Sequence, residues 1–152
     1  MSTGTGLQWS TRPAAVAALA VGGAVLAVAA TVVATDPAGR FLVGFAAVLA
    51  LATAALALRQ RPRLAVLPDA TGIAVTRLTG RREYSRPELH RVRLVDYPRL
   101  GRRVPMLEID IRDPHSGTEQ LMIFGRWDLG ADPRDVYDAL AARGLAPDQT
   151  PS

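Results

Sequence analysis

P-A-A-V-A-A-L-A-V-G-G-A-V-L-A-V-A-A-T-V-V-A (13–34) and F-L-V-G-F-A-A-V-L-A-L-A-T-A-A-L-A-L (41–58) decide the fold of this 152-residue chain. Of these 40 positions, 34 are apolar and none is charged. As helices the runs reach about 33 Å and about 27 Å, against a hydrocarbon core about 30 Å thick. The first run exceeds the apolar part of a signal peptide, and the second follows after six residues. Buried as a core hairpin, two uncharged helices of this length would leave too little chain to cover them. They read as a two-helix transmembrane hairpin. Gly22 and Gly23 weaken a soluble helix but suit lipid, where small residues let helices approach closely. Small residues are so frequent here that no particular dimer motif stands out.

Arginine placement gives the orientation. The segment 35–40 balances Arg40 with Asp36, whereas Arg59, Arg61 and Arg63 follow the second span and Arg12 precedes the first. The reading is a multi-pass protein of the cell membrane with both termini cytoplasmic. Residues 1–12 form a cytoplasmic lead, 13–34 and 41–58 the spans, and 35–40 an external loop. Trp9 suits an anchor at the membrane interface.

The remaining residues carry an ordinary globular share of apolar side chains. Cysteine is absent, which excludes disulfides, thiolate metal sites and cysteine nucleophiles. All 18 basic residues are arginine, a mark of coding bias and not of function. Their distribution is uneven. Residues 59–103 hold 12 arginines against four acids, and 104–152 hold four against nine.

Strand signals dominate from residue 63. A short apolar run at 63–67 ends at Pro68, and a turn at 69–72 leads into the β-branched stretch 73–78. Gly80 turns the chain into 82–86, and 89–97 follows. In 104–112, Leu107, Ile109 and Ile111 alternate with Glu108, Asp110 and Arg112. The D-P-H-S-G turn at 113–117 joins this strand to 121–124 as a hairpin. Then comes a helix: Asp132 as N-cap, Pro133 at N1, Asp135 in the first turn, an apolar stripe through Val136 and Leu140, and Gly144 at C′. The count is six or seven antiparallel strands and one amphipathic helix, within a cytoplasmic domain over 59–146. Residues 147–152 read as a disordered tail.

The stretches R-P-R-L-A-V-L-P-D-A-T-G-I-A-V (61–75), R-L-G-R-R-V-P (99–105) and L-G-A-D-P-R-D-V-Y-D-A-L (129–140) carry a resemblance. With the two spans before them, they resemble the actinobacterial membrane proteins that have a bacterial pleckstrin-homology-like domain. The resemblance covers about 9–146 and implies a bent barrel or sandwich of about seven antiparallel strands, capped by a C-terminal helix. It implies no catalytic motif. Family members often carry Trp in the strand that here reads Y-S-R-P-E-L (84–89), where this chain has Arg86.

Catalytic readings find little support. Glu108 and Asp110 could form a glycosidase-like pair, but the alternation makes them a solvated strand face. His90 and His115 lie apart without a ligand cluster. Ser85 and Ser116 belong to no nucleophile motif, and no phosphate loop is present. The chain reads as a non-enzyme without cofactor or metal. Arg81, Arg82, Arg91, Arg93, Arg102 and Arg103 are the candidate contacts for anionic lipid or a protein partner, since guanidinium forks match phosphate. The bland alternative is a solubilising face paired to the acidic second half. Nucleic acid is excluded by the missing aromatic interleaving. Trp127 is expected to close the barrel beside the helix, with a partner contact as the alternative. The functional reading is a membrane-anchored binding or scaffold module at the inner leaflet. The alternative is an accessory subunit of a larger integral-membrane complex.

Overall fold

In the computed structural model, residues 6–113 and 116–147 are described, and they divide into two compact units. One unit, residues 11–61, is a helical hairpin. Helix α1 (Pro13–Val32) packs on α2 (Pro37–Arg59). Its buried positions are Val16, Gly23 and Ala30 on α1, and Ala47 and Ala54 on α2. All are seven residues apart within their helix, so one stripe of small side chains forms the seam. Gly23 is required there: a Cβ would stand 2.9 Å from Leu51 Cγ. The other faces are open, with Val21, Val25, Phe41 and Leu42 each more than 60% exposed. A core helix of a soluble protein would be mostly covered. Both helices are long and apolar enough to cross a membrane. Their hydroxyls are satisfied internally, Thr31 donating to the Val28 carbonyl and Thr53 to that of Leu49, as an apolar solvent demands.

The connection is shorter than 35–40. Asp36 caps α2, its Oδ1 accepting from Gly39 N at 2.7 Å, and Pro37 takes N1. Arg40 therefore lies in the first turn, where its guanidinium donates to the Ala34 carbonyl.

The second unit holds two antiparallel sheets. The first runs β1 (Gln8–Trp9), β2 (Leu64–Val66), β3 (Gly72–Arg77), β4 (Gly80–Ser85). The second runs β5 (Leu89–Arg99), β6 (Arg102–Arg112), β7 (Glu119–Phe124). The expected region supplies six strands and β1, ahead of the helices, makes the seventh, but among the described residues no ladder joins the sheets and the barrel does not close. A 3₁₀ turn, Arg86–Glu88, carries the chain from β4 to β5, and β5 opens with a bulge between Leu89 and Arg91. Bulges bend and twist a strand, which turns the second sheet away from the first. Gly72 admits the tight approach of β3 to β4, since a Cβ would collide with the Tyr84 carbonyl oxygen.

The core lies between the sheets and the C-terminal segment. Leu64, Ile73 and Val75 meet Val92, Leu107, Ile109 and Phe124 there, with Val136, Leu140 and Leu145 over them. No α1 or α2 residue belongs to this cluster. A short helix α3 (Arg126–Leu129) leads to α4 (Pro133–Ala141). Asp132 caps α4 as expected, its Oδ1 accepting from Arg134 N at 3.0 Å. The chain leaves through Gly144 at φ 66°, with Leu145 N bonded to the Leu140 carbonyl and Gly144 N to that of Ala141, a Schellman exit.

Two tryptophan expectations change. Trp9 is no isolated interfacial anchor but pairs with Leu64 and packs half-buried on the core. Trp127 is 50% exposed, and Leu129, at 1%, fills the place beside the helix instead. Of the expected tail, 148–152 lies outside the described residues, as do Pro114 and His115 of the 113–117 turn.

Candidate functional site

The six candidate arginines fall in three places. Arg81 and Arg82 open β4, both exposed, and Arg81 Nη2 lies 3.4 Å from Glu83 Oε1. Arg91 and Arg93 alternate on the outward face of β5, across from Asp110 and Glu108. Arg102 and Arg103 follow a two-residue turn at the start of β6. They do not converge on one cup. Intramolecular pairing to the acidic half takes Arg93, and Arg63 Nε lies 3.7 Å from Asp128 Oδ1. Among the described residues Arg82, Arg91, Arg102 and Arg103 make no ion pair with a carboxylate.

Glu108 departs from the solvated face expected of it. It is 2% exposed, while Asp110 beside it is half-buried. Arg93 Nε donates to its Oε2 at 2.6 Å, and Tyr97 Oη donates to its Oε1. Burial works against the charge, but the Tyr97 and Arg93 hydrogen bonds outweigh it and hold the carboxyl below the ordinary range. Its hydrogen bond to Glu108 raises the Tyr97 hydroxyl in turn. The trio locks β5 to β6 and takes Glu108 out of water, so Glu108 and Asp110 do not form an accessible carboxylate pair. The pattern was hidden because alternation assigns a face and not a register. The clue is the two-residue turn at 100–101, which sets Arg93 opposite Glu108.

A cleft of about 840 Å³ opens between β4 and the β6–β7 end. Arg81, Arg82 and Tyr84 line one side; Asp113, Glu119 and Gln120 line the other. Tyr84 Oη donates to Gln120 Oε1 at 3.4 Å across it. With Glu83 and Glu88 also in its wall, carboxylates outnumber arginines, so the cleft interior is no cup for an anion. His90 is the exposed bulge residue of β5, and His115 lies outside the described residues. Among the described residues no cluster of histidine and carboxylates could hold a metal ion.

Arg86, near the position where family members often carry Trp, has a polar role. Its guanidinium donates to the carbonyls of Ala70 at 3.0 Å and Arg143 at 2.9 Å. It thereby ties the 68–70 turn and the end of the C-terminal helix to the corner between the sheets.

Comparison with known proteins agrees with this architecture. Residues 61–146 match the family described as "Bacterial PH domain". Two Mycobacterium tuberculosis proteins are similar over nearly the whole length: uncharacterized protein Rv0010c of strain H37Rv and uncharacterized protein MT0013 of strain CDC 1551. Each is 37% identical over 138 residues, 91% of this chain and 93% of the relative. No solved structure matches.

Proposed function

The chain belongs to the bacterial PH domain family, and from that premise we propose that it is a membrane-anchored, non-catalytic binding or scaffold module. In this reading α1 and α2 cross the cell membrane, both termini are cytoplasmic, and the two-sheet domain is presented at the inner leaflet to a protein partner or anionic lipid. One observation carries it. The helices leave the first sheet after β1 and re-enter it at β2, where Gln8 pairs with Ala65 and Trp9 with Leu64. A segment whose two ends are hydrogen-bonded neighbours crosses a bilayer an even number of times. The domain core is complete without the helices, so the helices are free to serve as anchor.

Purification of the full chain in mild detergent tests the reading. The chain should resist carbonate extraction and copurify with a substoichiometric or lipid partner. Release by carbonate would refute the anchor. A stoichiometric integral-membrane partner would instead make the chain an accessory subunit.

A further inference from the structure

Two hairpin tips in the domain share a make-up, with leucine as the first of two turn residues in both, Leu78-Thr79 ahead of the paired Gly80 and Leu100-Gly101. Arg77-Leu78-Thr79-Gly80-Arg81-Arg82 joins β3 to β4, and Arg99-Leu100-Gly101-Arg102-Arg103 joins β5 to β6. Each has an arginine, an exposed leucine, a glycine at positive φ and a pair of arginines. Leu78 is 57% exposed and Leu100 fully so. Single exposed leucines are common on protein surfaces and need no cause. The same surround around both is harder to dismiss.

The second tip is also locally unfavourable. Leu100 and Gly101 have φ values of 47° and 76°, so both central residues of the turn are left-handed. Such turns favour asparagine or aspartate before glycine, and a leucine there is strained. Arg99 faces Arg102 directly across the ladder, a like-charge pair that disfavours the hairpin. Neither makes an ion pair with a carboxylate among the described residues. Local features that oppose folding mark sites shaped for something else.

We propose that these two tips are the membrane-contacting elements of the domain, each placing its leucine among lipid acyl chains while the flanking arginines engage anionic headgroups. The inference rests on the membrane-anchored reading and adds to it the surface and the mode of contact. The shape favours a bilayer. Neither leucine lines the cleft beside β4, and both stand out in solvent where no concavity is shown to receive them, whereas a deformable leaflet accepts a point of contact. Leucine gains from leaving water only if hydrocarbon receives it, and the guanidinium forks match the phosphates at that depth.

The chain has no cysteine, so single reporters are clean. Leu78→Cys and Leu100→Cys full-length chains, each carrying an environment-sensitive fluorophore, are reconstituted in vesicles of phosphatidylcholine alone or mixed with phosphatidylglycerol. Ala142→Cys, exposed at the end of α4, is the control. The proposal expects blue-shifted emission at both tips in the mixed vesicles, quenching by bromolipid, and neither at the control. Arg102→Glu with Arg103→Glu should abolish the shift at position 100, and inorganic phosphate in detergent should produce none. Unshifted emission at either tip, equal shifts at the control, or shifts indifferent to charge reversal would each overturn it. Carbonate extraction of the same vesicles separates the two failures: a retained chain with unshifted tips sinks this inference alone, and a released chain sinks the anchor first.

Discussion

At the residue scale, Glu108 shows how a charge becomes structural. Its folded value lies below the ordinary 4.5, so the ionised carboxylate contributes stability that is present above the ordinary range. That contribution is lost as pH falls through the depressed folded value. Glu108→Gln should therefore cost about 1–3 kcal/mol at neutral pH, the scale of an imperfectly satisfied buried polar group. The gap to wild type should narrow as acid protonates Glu108. Denaturant titrations of the detergent-solubilised chain at neutral and acid pH measure both, and a gap constant with pH would refute the role. A sequence cannot expose this residue easily. Glu108, Asp110 and Arg112 look alike in the alternation, and only the side chains of Arg93 and Tyr97, contributed by another strand, separate the first from the others. Arg86 is hidden for the same reason, since its carbonyl partners stand 16 and 57 residues away.

At the scale of elements, legibility follows how local the cause is. Strand β6 is readable because Leu107, Ile109 and Ile111 all turn to the core, at 0%, 0% and 3% exposure. Helix α4 is readable from its ends, where Asp132, Pro133 and Gly144 act within a few residues of themselves. Strand β1 is not, because two residues ahead of a long apolar run carry no period at all. Closure of the barrel is also illegible, since it depends on a bulge at His90 and on how the two sheets meet. Leu107→Ala should cost about 2–5 kcal/mol by leaving a cavity. Ile123→Ala, on the same sheet but 41% exposed, should cost clearly less, and equal losses would contradict the placement of the core. Asp132→Ala should cost about 1 kcal/mol through the lost cap, read as a lower midpoint in the same denaturant titration.

At the scale of the whole molecule, the pairing of β1 with β2 couples the fold to the topology. Because residues 8–9 and 64–65 share a ladder, the N-terminal segment and the domain must lie on one side of any membrane that α1 and α2 cross. Which side is a separate matter, and juxtamembrane arginine decides it. Arg63 is partly withdrawn from that role in the folded chain: Nη1 donates to the Thr76 carbonyl at 2.9 Å, and the guanidinium lies 6.0 Å from the Phe124 ring centroid. In the proposed topology Arg59, in the last turn of α2, and Arg61, exposed just after it, are the main cytoplasmic markers. In intact cells a membrane-impermeant maleimide should label Thr35→Cys, between the helices, and spare Ser2→Cys and Ser152→Cys. Replacing Arg59 and Arg61 with Gln should weaken the preference, and the two termini should then become accessible together. Labelling of one terminus without the other would break the strand pairing and the even crossing with it. Protection of Thr35→Cys with both termini labelled would keep the hairpin and reverse its orientation.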